Sequence, residues 1–123
     1  MNTNERIVRY LTESGVKVAR TADRSVLGGN DGGTDWTEHG PVILLAEDAP
    51  VSALVHEAAH VMLGHKHTAG DDYHADVAET EAEAVTQIIC GNQPDPRFTG
   101  AIDADKVLGV ILILQDVIAG GPV

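Results

Sequence analysis

Two histidines four residues apart, His56 and His60, lie inside a segment whose residue pattern predicts a helix. Asp48 is a suitable N-cap, Pro50 suits a first helical turn, and Gly64 can end the helix after about residue 63. Residues at this spacing lie about 40° apart around a helix and ~6 Å apart along it. Both imidazoles therefore project from one face, at a separation that a single divalent ion can bridge.

The rest of the chain predicts an α+β fold in one domain, residues 1–123, with its strands in the first half. Apolar residues at helical spacing indicate helices, and short alternating or β-rich runs indicate strands. A glycine-rich stretch is predicted to be a loop, and no GK[ST] follows it, so it is not a phosphate loop. The predicted elements are helices over 4–14, 50–63, 74–90 and 103–119, strands over 16–19 and 42–45, and loops over 28–33, 65–72 and 94–100.

The charge balance argues against direct binding of nucleic acid or of an anionic membrane. The formal net charge is −11 and aromatic residues make up only 3% of the chain, whereas nucleic-acid binders need a basic surface and often stacking aromatics. The longest apolar run, Val107–Leu114, is far shorter than the ~20 residues of a membrane helix. No signal peptide is evident and Cys90 is the single cysteine, so we expect a cytoplasmic protein.

Imidazole ligands suit zinc, and a catalytic zinc site needs a third protein ligand. Glu57 follows His56 on the helix but points elsewhere, so it can deprotonate a water molecule without ligating. A third histidine is not expected, because Gly64 and His65 do not match the spacing of the extended HExxHxxGxxH pattern. The alternative is a carboxylate of the next helix, where Glu79, Glu81 and Glu83 are candidates.

Helix periodicity leaves the choice between these carboxylates open. Glu79 and Glu83 lie about 40° apart around an ideal helix and Glu81 about 160° from both, but Glu79 and Glu81 each flank the apolar stripe. The interpretation without a functional site is that two exposed histidines lie beside a solvated acidic helix face. It is weakened because six acidic residues between 71 and 83, beside a histidine pair, repel each other unless a cation is present.

The segments HEAAHVMLGH (56–65) and ETEAEAVTQIIC (79–90) together resemble the ImmA/IrrE superfamily of small zinc metallopeptidases. The second segment is most similar to the ArdC-like antirestriction branch of plasmids, phages and actinobacteria, and the likeness covers roughly residues 42–90. The resemblance implies a zincin-like fold: a short N-terminal β-sheet, the HExxH helix and two further C-terminal helices. It also implies zinc ligands His56, His60 and Glu79, with Glu57 as general base. Glu83, where the family often has Asn or Asp, would contact a histidine.

The resulting hypothesis is a zinc metallopeptidase that hydrolyses a protein or peptide substrate by metal-activated water. By analogy with zincins, we expect the strand at 42–45 to border the cleft and pair with an extended substrate. The group that stabilises the oxyanion is unassigned. Its candidates are Tyr73, His65, His67 and His74.

Two alternatives stand beside this hypothesis. One is a non-catalytic, metal-stabilised acidic binding module with an antirestriction or regulatory role. A net charge of −11 would suit such a module, because it could mimic the negative surface of DNA. The intact Glu57 favours chemistry over this, because a scaffold has no need of a general base. The other alternative is a helical interaction domain without metal. The sequence leaves the oligomeric state open.

Overall fold

The structure is a computed structural model that describes residues 2–65, 72–91 and 102–120, with the backbone alone at 72–76. Within these residues the chain forms four α-helices and a three-stranded sheet, which confirms the predicted α+β class. The elements are α1 (Thr3–Glu13), β1 (Lys17–Thr21), a 3-10 turn (Arg24–Leu27), β2 (Gly32–Thr37), β3 (Gly40–Ala46), α2 (Val51–Met62), α3 (Asp72–Cys90) and α4 (Ala104–Ile118).

The sheet has the order β1-β3-β2 and is mixed. β1 runs parallel to β3, with Lys17 opposite Val42, and β2 runs antiparallel to β3, with Gly32 opposite Leu45. The expectation that residues 42–45 pair with a substrate is therefore wrong, because β1 and β2 already occupy both sides of β3. Within the described residues, β2 is an edge strand and contacts the HExxH helix α2.

Strand β2 corrects the predicted loop over 28–33, since Gly32 and Gly33 are its first two residues. Glycine is depleted in strands, so this stretch carries no strand signal of its own. Its pairing with β3 supplies the missing stability, and the connecting turn closes at Gly40 with a φ of 107°. That conformation favours glycine. β2 is thus a strand specified by its partner rather than by its own sequence.

The core lies between the sheet and the helices, and every helix contributes to it. α2 packs against α1, α3, β2 and β3, while α4 packs against α1 and α3. Burying one large apolar side chain stabilises the fold by about 1.5–3 kcal/mol. The fully buried large side chains are Ile7, Leu11, Ile43, Leu45, Leu54, Val55, Val85 and Leu114.

The helix ends agree with the sequence at α4 and differ at α2. Asp103 caps α4 as predicted, its Oδ1 accepting from the Lys106 N–H at 3.3 Å. Pro50 stands at the N-cap of α2 without a side-chain cap, and the predicted cap Asp48 instead accepts from the Arg24 guanidinium at 2.6 Å. The helix therefore begins two residues later than a cap at Asp48 requires, and Asp48 lies in an exposed ion pair with Arg24.

Two of the predicted loops, 65–72 and 94–100, fall almost wholly outside the described residues. α3 already begins at Asp72, two residues before its predicted start. Among the described residues, no helix combines the length and the apolar character needed to cross a membrane.

Candidate metal centre

Three side chains from α2 and α3 converge on one point. His56 and His60 project from the same face of α2, and their Nε2 atoms lie 3.1 Å apart. Glu79 of α3 reaches both, with Oε2 3.0 Å from Nε2 of His56 and Oε1 3.1 Å from Nε2 of His60. These three form the one group in the described part of the chain whose geometry could hold a metal ion.

The other two carboxylates of the acidic stretch on α3 have different partners. Glu83, one turn beyond Glu79, lies with Oε1 2.9 Å from Nδ1 of His56. Glu81 projects away from the convergence point and meets Nε2 of His65 at 2.7 Å. Helix geometry explains this division, because residues 79 and 83 share a face that residue 81 does not.

The protons on His56 follow from the chemistry of its neighbours. A carboxylate only accepts hydrogen bonds, so the Nδ1–H of His56 donates to Glu83. With Nδ1–H held by Glu83, a metal ion that displaces the proton of Nε2 would find a lone pair on that atom, which faces Glu79 and His60. Glu83 thus fixes the tautomer of His56 in the form that a metal ligand requires.

His65, which the sequence analysis named only as a candidate for oxyanion stabilisation, contacts the centre through the ring of His60. Its Nδ1 lies 3.0 Å from Nδ1 of His60. The C-terminus of α2 places it there through a Schellman motif: the Gly64 N–H donates to the carbonyl of Val61 and the His65 N–H to that of His60. Gly64 adopts a φ of 73°, a left-handed conformation that glycine takes readily. The signal in the sequence is the glycine followed directly by histidine.

Glu57 lies on the side of α2 that faces the sheet. Its side chain is buried, and Oε1 accepts a hydrogen bond from the hydroxyl of Thr34 in β2 at 2.9 Å. A Cβ at Gly32 would stand 2.8 Å from Cδ2 of Leu45, so glycine lets β2 lie close to β3 there, and it would be in ordinary contact with Cγ of Glu57 at 3.4 Å. The sequence analysis did not identify Thr34, because it did not predict strand β2.

The electrostatics of the centre suit a cation. Burial acts to raise the pKa of Glu79, but hydrogen bonds with His56 and His60 hold it well below its usual range. Burial acts to lower the pKa of His56, but the hydrogen bond and charge of Glu79 outweigh it, so this pKa is raised. Burial lowers the pKa of His65 despite its hydrogen bond to Glu81. Glu79 is therefore anionic at neutral pH, and burial favours the neutral ring of His65.

The remaining candidates for oxyanion stabilisation are not positioned by this geometry. His67 lies outside the described residues, and Tyr73 and His74 fall in the first turn of α3, where the backbone alone is described.

Comparisons of the chain with models of known protein families, with curated proteins and with solved structures found no match.

Proposed function

We propose that this chain is a zinc-dependent metallopeptidase with a zincin-like fold of the ImmA/IrrE type. In this proposal His56, His60 and Glu79 hold a zinc ion and Glu57 is the general base. One observation carries it: the Nε2 atoms of two imidazoles and an anionic carboxylate converge with separations of 3.0–3.1 Å. Such a cluster needs a cation, either a proton or a metal ion, between its members, and zinc binding displaces the protons.

The donor set fits zinc in kind and in size. Zinc binds imidazole nitrogen and carboxylate oxygen at about 2.0–2.1 Å, so tetrahedral ligands lie about 3.3 Å from one another. The Nε2 atoms of His56 and His60, 3.1 Å apart, need to separate by roughly 0.2 Å more to meet that value, and each faces a different oxygen of Glu79 at 3.0 or 3.1 Å. Three protein ligands also leave a fourth position open, as in catalytic rather than structural zinc sites.

In peptide hydrolysis, Glu57 and Thr34 would then have separate roles beside the zinc ion. A zinc ion held there would polarise the scissile carbonyl and lower the pKa of a water molecule toward ~7. Glu57 would act as the general base, accepting a proton from a water molecule and returning it to the leaving amine. Thr34 holds the Glu57 carboxylate from the side of β2, which orients the base.

Substrate binding is assigned to the edge of β2 in place of the middle strand. An extended peptide can add to an exposed sheet edge through main-chain hydrogen bonds. β2 is an edge strand and carries Thr34, the partner of Glu57, so a peptide aligned on it would pass beside the base. The class of substrate in this proposal is therefore an extended segment of a protein or peptide.

Metal analysis tests the centre. Purified wild-type protein should contain one zinc per chain, and His60→Ala should lose it. His39→Ala is the matched control, because His39 is almost fully exposed and lies outside the centre. Absence of bound metal from wild type, or equal zinc in both variants, would remove the basis of the proposal.

A second experiment separates the enzyme from the non-catalytic acidic binding module, which the net charge of −11 favours. Glu57→Gln keeps the size of the side chain but removes the base. It should retain zinc and lower peptidase turnover by ~10²-fold or more. An activity that survives this change unaltered would show that the protein acts by binding.

A further inference from the structure

We propose that His65 and Glu81 are positioning residues that fix the tautomer of His60 and so present its Nε2 lone pair to the metal centre. Insofar as it concerns zinc, this inference rests on the proposed function. The pair lies outside the three ligands and outside the general base. It fixes the tautomer of His60, as Glu83 fixes the tautomer of His56.

The direction of each hydrogen bond follows from the carboxylate at the end of the chain of contacts. Glu81 only accepts, so Nε2–H of His65 donates to its Oε1 across 2.7 Å. The Nδ1 atom of neutral His65 then carries a lone pair, and Nδ1–H of His60 donates to it across 3.0 Å. With a cation between the Nε2 atoms and Glu79, this arrangement leaves the lone pair of His60 on Nε2, where it faces His56 and Glu79.

The tautomer matters because a free imidazole can carry its proton on either nitrogen. With the proton on Nε2, His60 would aim an N–H into the centre and could not ligate. A partner that accepts from Nδ1 removes this form. Such partners of metal-binding histidines typically tune metal affinity by about 10–100-fold.

The fold holds both members of the pair in place. The Schellman motif at Gly64 turns His65 back onto α2, and the side chains of His65 and Glu81 are only 11% and 8% exposed. The second oxygen of Glu81, Oε2, accepts from the backbone N–H of Asp103 at 2.7 Å. Both oxygens of Glu81 therefore have donors, and its carboxylate cannot rotate away from His65 without breaking the bond to Asp103.

The two metal-binding histidines thus differ in how they are supported. His56 donates directly to Glu83, whereas His60 donates to a second histidine that donates in turn to Glu81. The relayed arrangement makes an isosteric test possible, because reversing the proton preference at Glu81 reverses every bond as far as His60.

Glu81→Gln is that test. The Asp103 N–H requires an oxygen as its acceptor, so the new amide presents its NH₂ group to Nε2 of His65. His65 must then accept at Nε2 and donate from Nδ1, which drives the proton of His60 onto Nε2. We expect zinc affinity, measured by competition with a chromophoric chelator, to fall by about 10–100-fold.

Glu38→Gln is the matched control, because Glu38 is exposed and neighbours the exposed His39. It should bind zinc as wild type does. His65→Leu is a second variant that removes the relay without an amide, with His39→Leu as its control, and it should lose a similar factor. His65→Asn should restore part of that loss, because its side-chain oxygen can accept from Nδ1–H of His60.

Nitrogen-15 NMR of the imidazoles gives a readout that needs no metal. In metal-free Glu79→Ala protein at mildly alkaline pH, which lacks the carboxylate 3.1 Å from Nε2 of His60, His60 should carry its proton on Nδ1 and His65 on Nε2. Adding Glu81→Gln should shift the His60 proton toward Nε2. A His60 protonated on Nε2 in Glu79→Ala, or wild-type zinc affinity in both Glu81→Gln and His65→Leu, would overturn the inference.

These two readouts separate the inference from the function on which it rests. If wild-type protein binds no zinc, the proposed function fails and the NMR result alone decides the inference. If zinc binds tightly but the tautomers are reversed, the inference fails and the proposed function stands.

Discussion

At the scale of single residues, the carboxylates of α3 have separate tasks although they follow one another at every second position. Glu79 touches both imidazole Nε2 atoms, and Glu83 touches only the far nitrogen of His56. We therefore expect Glu79→Ala to weaken zinc binding most, since it removes a ligand. Glu83→Ala should weaken it by about 10–100-fold. Chelator competition measures both, with the exposed Glu47→Ala as control, and a reversed order would contradict the ligand assignment.

Thr34 offers a second test at this scale, on the base rather than on the metal. Thr34→Val keeps the shape of the side chain and removes the hydroxyl that donates to Glu57. Hydrogen bonds to charged groups are worth about 1.5–3 kcal/mol, which corresponds to a loss of roughly 10–100-fold in turnover. Zinc content should be unchanged, and Thr34→Ser should recover activity. If Thr34→Val loses zinc, the role of Thr34 is structural instead.

At the scale of elements, the end of α2 determines where His65 lies. Gly64→Ala places a Cβ on a residue with a φ of 73°, which costs about 1–2 kcal/mol for an L-residue. We expect a lower midpoint of urea unfolding together with weaker zinc binding, because the Schellman turn that positions His65 is strained.

Gly109→Ala is the control for that change. Gly109 lies within α4, and an added Cβ meets no atom within 4 Å, so alanine should raise the free energy of unfolding by about 0.5–1 kcal/mol. Its zinc affinity should match wild type. Equal destabilisation by both substitutions would mean that the conformation of Gly64 is not what matters.

The sequence predicted those elements whose signal is local. Helices α1, α2 and α4 follow from apolar spacing and end signals, to within a residue or two at most ends. β2 was not predicted, because Gly32, Gly33 and Asp35 disfavour a strand while Thr34, Trp36 and Thr37 favour one, and the pairing with β3 decides between them. The sequence pattern also could not predict contacts between elements. Periodicity alone did not distinguish Glu79 from Glu81 as the metal ligand, and the packing of α3 on α2 determines which of them reaches the histidines.

At the scale of the whole molecule, zinc would add to the stability of a chain with a net charge of −11. An ion that binds only the folded state stabilises it by about 2.7 kcal/mol at a concentration 100 times its Kd. For a domain of this size we expect a chelator to lower Tm on the order of 10 °C. Added zinc should restore Tm, and His60→Ala should not respond. A wild-type Tm that ignores both additions would contradict zinc binding.

The hydrogen bond from the Asp103 N–H to Glu81 couples the start of α4 to the metal centre. Proteins open locally in cooperative units, and amide hydrogen exchange reports the free energy of each opening. If Glu81 loses its donor when the first turn of α4 unfolds, His65 and then His60 lose their fixed orientation. Metal release and amide exchange in that turn would then share one opening event, so the lifetime of the bound ion would be set by the fraying of a helix that supplies none of its ligands.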